Sequence, residues 1–121
     1  MEHTKMAEKS DIDTELLQQY LDTLGAEGIK ATLTTFDGII QSYAKLLHQA
    51  AKERNEDELR KQAHKVKGAC SSVGLTALSK NMERVEKEDW EWPVAERLLI
   101  EWADAVIPHR QQIDAWLAKH H

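Results

Sequence analysis

Of the six histidines in this 121-residue chain, His64 sits among residues that could do chemistry. The stretch reads Gln62-Ala63-His64-Lys65-Val66-Lys67-Gly68-Ala69-Cys70-Ser71-Ser72-Val73-Gly74. Leu59, Ala63, Val66, Cys70 and Val73 recur at steps of four and three, one apolar stripe along a helix. At about 100° per residue, His64 lies about 140° from the middle of that stripe and so faces solvent. Lys67, Gly68 and Ser71 follow three, four and seven positions on, stacked along the same side. An imidazole titrates near pH 6.5, so a neutral fraction with a lone pair able to attack phosphorus exists at neutral pH. A lysine beside the ring suits the oxygens of a phosphoryl group carried on it. Glycine in an exposed helix interior costs about 1 kcal/mol relative to alanine. The bare backbone at Gly68 therefore points to something that must approach the imidazole closely. Together these residues make a docking face for phosphate transfer.

A solvent-facing histidine is most often only a solvated residue, and spacing alone does not separate the two readings. The wider pattern does. His64-x-x-Lys67-Gly68, small residues at Ala69, Cys70, Ser71 and Ser72, and then Gly74 and Leu75 resemble the histidine-containing phosphotransfer domain. The motif runs from Leu59 to Glu86, and the helix pattern on both sides fits the same fold. The segment from Asp11 to Gly25 and the tryptophan-rich last helix look most like the phosphotransfer domains that end hybrid sensor kinases of the anaerobic redox-control type.

That resemblance implies a bacterial phosphorelay intermediate. His64 would accept a phosphoryl group from the aspartyl phosphate of one receiver domain and pass it to the aspartate of another. The partners implied are the receiver domains of a hybrid sensor kinase and of a response regulator. Lys67 would neutralise phosphate oxygens, Gly68 would leave room for the receiver's loops, and Ser71 would hydrogen-bond near the ring. Arg60, Lys61 and Lys65 would extend a positive collar towards the partner, although a solvated face is the plainer account of any one of them. No cofactor of the chain's own is implied, because the receiver brings a divalent ion such as Mg. Catalysis then reduces to in-line positioning and charge stabilisation.

Other chemistries find little support. The histidines show no His-Glu-x-x-His or comparable spacing, so no metal site is expected. Cys70 falls on the apolar stripe, about 120° from His64, and reads as a buried packing residue. A kinase dimerisation helix carries an acidic residue directly after its histidine and a proline soon after. Here Lys65 and Val66 follow, and no proline precedes Pro93. Self-phosphorylation from ATP is not expected. The competing reading from another class is a helical scaffold protein that binds a partner through the His64 face without covalent chemistry.

The totals set the frame for these residues. The length suits one domain with a single core. A net charge of −5 without a basic block argues against nucleic acid as a partner. One cysteine forms no internal disulfide, and no apolar run reaches the roughly 18 residues that span a bilayer, so a cytoplasmic monomer with no membrane contact is expected. A chain that opens on Met1 without a kinase or receiver module suggests a free-standing intermediate, although an excised terminal domain would look the same.

The elements follow from the apolar period. Residues 1–10 are polar and aperiodic, a flexible arm, and residues 11–121 form the bundle. Asp11 or Asp13 caps a short first helix carrying Leu16, Leu17, Tyr20, Leu21 and Leu24, which Gly25 stops. A long second helix over about 27–52 carries Ile29, Leu33, Phe36, Ile40, Tyr43 and Leu47 inward. Asn55 and Glu58 form a capping box for the His64 helix, and Gly74 ends it. Thr76 caps a helix with Leu78, Met82 and Val85 inward. Pro93 opens the last helix, and Pro108 must kink or restart it. Short connections make the whole an all-α, up-and-down four-helix bundle with an additional short N-terminal helix.

Overall fold

A computed structural model of the chain describes residues 11–120, and the expected arm over residues 1–10 lies outside them. Among the described residues there are four helices: α1 (Thr14–Lys52), α2 (Glu56–Ser72), α3 (Thr76–Lys87) and α4 (Trp92–His120). No strand occurs among the described residues. The connections over 53–55, 73–75 and 88–91 are short, so successive helices run antiparallel. Each helix packs on the next and α4 returns to α1, which makes the expected up-and-down bundle.

The short N-terminal helix is not a separate element. α1 continues across Gly25, whose φ of 76° and ψ of 172° break the regular turn, so residues 14–24 and 26–52 are two segments joined at a kink. Glycine takes that φ without the Cβ clash other residues meet. Asp13 is the N-cap, its Oδ1 accepting from the Leu16 N–H at 3.1 Å. Leu17 is fully buried, whereas Leu24, expected inward, is exposed because the chain leaves the helical path at the next residue.

α1 and α2 end in the same way. The N–H groups of Arg54 and Asn55 bond back to the carbonyls of Ala51 and Ala50, and those of Gly74 and Leu75 to Ser71 and Cys70. This closure needs a left-handed residue just past the helix, here Arg54 at φ 56° and Gly74 at φ 80°. The same closure defeats half of the expected capping box. Asn55 Oδ1 does accept from the Glu58 N–H at 3.1 Å, but the Asn55 N–H is already donated to Ala50. The Glu58 carboxylate instead accepts from Gln62 Nε2 at 2.6 Å.

The expectations at Thr76, Pro93 and Pro108 are corrected in turn. Thr76 is the first residue of α3 rather than its cap; Leu75 holds the cap position with no side-chain bond. An early N–H of that helix, from Ala77, is satisfied by the Asp11 carbonyl at 3.3 Å. Pro93 is the second residue of α4 rather than the first, and α4 runs through Pro108 without restarting. Pro108 and Asp104 are both exposed, so the carbonyl that loses its donor meets water rather than core.

The segment before α1 locks the turn between α2 and α3. The Asp13 N–H donates to the Gly74 carbonyl at 2.8 Å, Tyr20 Oη donates to the Ser72 carbonyl at 2.6 Å, and Ile12 is buried. A Cβ added at Gly74 would stand 3.3 Å from the Asp13 carbonyl oxygen in addition to meeting the unfavourable φ. Gly74→Ala is therefore expected to destabilise the fold by about 1–2 kcal/mol, read as a lower denaturant midpoint. An unchanged midpoint would contradict this account of the turn.

One core runs through the bundle, from Leu17, Ile29 and Phe36 to Leu59, Val66, Met82, Leu98, Trp102 and Ile113. Trp116, half-buried, packs against it. Cys70 lies inside, and burial pushes its thiol up to about 12. It is a packing residue and not a thiolate nucleophile.

Candidate functional site

The site forms where α2 and α3 run side by side. The apolar stripe of α2 is buried from Leu59 to Cys70, which turns its other side outward. The His64 side chain is 65% exposed, as its position on the helix required. On α3, Ser79 and Met82 face α2 from buried positions, and Glu86 follows one turn beyond Met82 on the same stripe.

Glu86 joins the two residues that the motif singles out. Its Oε2 is 2.8 Å from His64 Nδ1, and its Oε1 is 2.7 Å from Lys67 Nζ. The Lys67 ammonium against Oε1 holds the Glu86 carboxyl below the usual carboxylate range, against partial burial that acts the other way, and His64 adds to the lowering. Its contribution to stability is present above the unfolded carboxylate range and fades as pH falls through the depressed value. An ionised carboxylate only accepts hydrogen bonds, so Nδ1 carries a hydrogen, and in the neutral ring Nε2 keeps the lone pair. Glu86 was not among the site residues expected from sequence. The signal was its register, four and seven positions from Met82 and Ser79, which places an acid on the inward stripe of α3.

The other expected residues divide between the site and the fold. Gly68 is exposed, and a Cβ added there would meet nothing within 4 Å. Lys61 and Lys65 are exposed on the same helix without an ion pair among the described residues. Ser71 bonds Ser79 at 2.7 Å, and Ser79 Oγ donates to the Lys67 carbonyl at 3.2 Å. The hydroxyl hydrogen of Ser71 is therefore spent on α3, where it ties down the turn that carries Lys67, and not on the ring.

Arg60 is turned inward. Its guanidinium donates to the carbonyls of Val85 and Glu86 at 3.2 and 2.8 Å, pairs with Glu56 at 2.8 Å, and lies 4.4 Å from the centre of the Trp90 ring. A cation at the end of α3 satisfies orphan carbonyls and complements the helix dipole. It also fixes the backbone of Glu86. Trp90 donates Nε1 to the Val85 carbonyl at 2.9 Å and meets Trp92 edge to face, with Arg54 over Trp92. Trp90 in the connection and Trp92 at the start of α4 thus cover the end of the bundle next to the site.

A groove of about 490 Å³ between α1 and α4, lined by Ile40, Ala44, Trp102 and Val106, contains none of His64, Lys67 or Glu86. Those three residues sit on an open helix surface instead. Among the described residues no group of three or more His, Cys, Asp or Glu side chains could hold a metal ion, and no helix is long and apolar enough to cross a membrane.

An exposed histidine, a lysine one turn on and a bare glycine are the features the phosphotransfer resemblance rested on. The sequence model of the family described as "Hpt domain" matches residues 15–116. The chain belongs to the Hpt domain family. It is 29% identical over 114 residues to the aerobic respiration control sensor protein ArcB of Escherichia coli K12, and equally to that of Shigella flexneri. Each match covers 89% of this chain but 14% of the sensor protein. The histidine-containing phosphotransfer domain of ArcB from Escherichia coli superposes with a TM-score of 0.84 at 24% identity, covering 93% of this chain and 98% of that one. A solution structure of the same domain gives 0.75 at 27% identity, covering 96% of each chain. Membership of the Hpt domain family is consistent with a phosphorelay intermediate, and the non-covalent scaffold reading is not favoured.

Proposed function

We propose that His64 is the residue of this Hpt domain that carries the phosphoryl group, with Nε2 as the attacking atom. The observation that supports it is the Glu86 bond to Nδ1, which in the neutral form of the exposed ring puts the hydrogen on Nδ1 and the lone pair on Nε2. The Nε2 lone pair attacks the phosphorus of a receiver's aspartyl phosphate, and the bond from phosphorus to the carboxyl oxygen breaks. The aspartate leaves as a carboxylate. Transfer onward is the reverse step towards the aspartate of a second receiver. Lys67 supplies a cation for the phosphoryl oxygens, and the divalent ion, such as Mg, belongs to the receiver.

In this reading the partners are receivers of a hybrid sensor kinase and of a response regulator, met one at a time by a cytoplasmic monomer. Gly68 lets the partner's loops approach, and Lys61 and Lys65 give an otherwise acidic protein a positive rim. A two-stage labelling experiment tests it. The chain is mixed with a receiver labelled on its aspartate, separated, and then offered to a second receiver. Label that enters the chain and leaves again is the expected result. Stable association without any label entering would favour the scaffold reading instead.

A further inference from the structure

Glu86 has a consequence for the phosphorylated state, and this inference rests on His64 being the carrier. We infer that the Glu86 carboxylate keeps the proton on Nδ1 of His64 throughout the phosphoryl cycle, so that the stored group is held on an imidazolium ring and leaves it readily. Glu86 acts through His64 and is a positioning residue in both a geometric and an electrostatic sense.

The atoms balance without any proton transfer. Before the step, the ring is neutral with hydrogen on Nδ1, and that hydrogen is donated to Glu86 Oε2 across 2.8 Å. When Nε2 forms its bond to phosphorus, the ring becomes a phosphorylated imidazolium that still carries the Nδ1 hydrogen. When the bond from Nε2 to phosphorus breaks, the electron pair returns to Nε2 and the same neutral ring is restored. A ring that lost its Nδ1 proton between the two steps would have to expel an imidazolate, a far poorer leaving group. What the site must do is hold one proton on one atom. An anion in direct contact with that atom does so, because an opposite charge within hydrogen-bond distance favours the charged form.

The surroundings set the sign. Among the described residues, the charged groups within bonding distance of the Glu86 carboxylate are His64 and Lys67 from α2, and Arg60 bonds its backbone carbonyl. Without the carboxylate, Lys67 would remain as an unbalanced cation beside the ring and would oppose the imidazolium form. A neutral amide at position 86 keeps an oxygen to accept from Nδ1 but removes the charge. The two contributions of Glu86, direction and charge, can therefore be separated.

The test uses the full chain loaded with labelled phosphoramidate, a small phosphoryl donor, so that no receiver is needed. The loss of acid-labile label from His64 is followed from pH 5.5 to 9 in the native protein and in Glu86→Gln, with Glu86→Asp as the conservative variant. In the native protein, fast loss is expected to persist into alkaline solution. In E86Q the fall-off moves to lower pH by about one unit or more, so that loss at pH 8 is about ten-fold slower, and E86D restores much of the native profile. Superimposable profiles for the native protein and E86Q would overturn the inference. Nitrogen NMR of the phosphorylated native ring gives a readout that does not depend on a variant folding. Nδ1 should stay protonated above the pH at which a phosphorylated histidine in a short peptide loses that proton, and loss at the same pH would overturn the inference equally. If no label enters at His64 at all, it is the carrier assignment that fails, a distinct result.

Discussion

Gly68→Arg is expected to slow transfer from a phosphorylated receiver by about 100-fold or more while leaving the fold intact, since small displacements of reacting groups already cost that much. Space is the reason. A side chain at position 68 would meet nothing within this protein, so the structure itself gives no cause for glycine there. An exposed glycine inside a 17-residue helix only weakens that helix. Gly68→Ala should in fact raise stability by about 0.5–1 kcal/mol. Arginine should fold as well as alanine, yet project into the volume that an arriving receiver must occupy beside His64. The discriminating measurement compares two donors. Labelling of the arginine variant by phosphoramidate should stay near the native rate, because a small donor does not need the docking surface. Native transfer rates from the receiver in this variant would contradict the docking role of the glycine.

The second large effect lies in the seam beneath the site. Met82 is fully buried on the stripe of α3 that also carries Ser79 and Glu86, and Leu59, Val66 and Cys70 line the facing side of α2. Truncation there removes packing atoms and leaves a cavity that the two helices can only partly close. Met82→Ala is expected to lower stability by about 2–5 kcal/mol, seen as a drop in denaturant midpoint. A loss below about 1 kcal/mol would mean that this seam is not what holds α3 against α2. The consequence for function is indirect. Glu86 reaches His64 and Lys67 only while α3 stays in register with α2.

Much of this was legible in the order of residues, and the reasons for the gaps are physical. The apolar stripe from Leu59 to Val73 placed His64 outward because helical geometry leaves it no other direction. Gly74 could be read as a stop because a left-handed closing residue favours glycine. Arg60 could not be placed, since a long side chain reaches either solvent or a neighbouring helix end. The free carbonyls of Val85 and Glu86 and the face of Trp90 decided for the latter. The end of α3 looked merely polar in sequence, so Glu86 went unassigned although its register already pointed it at α2. Local rules favour threonine as a cap at position 76, whereas the bond to the Ala77 N–H comes from Asp11, far away in sequence. Pro108 shows the same limit. Ile113 and Leu117 continue the buried side of α4 beyond it, and packing overrides the local cost of a proline on the solvent side.

The central claim is that one exposed imidazole, protonated on Nδ1 by contact with Glu86, carries the phosphoryl group on Nε2. The most direct measurement incubates the native chain and His64→Gln with an aspartyl-phosphorylated receiver and maps the label by phosphorus NMR and mass spectrometry. Acid-labile phosphate on Nε2 of His64, stable in alkali once the chain is denatured, and none on the glutamine variant, is the expected result. Phosphate on Nδ1, on another residue, or retained by the glutamine variant would contradict it.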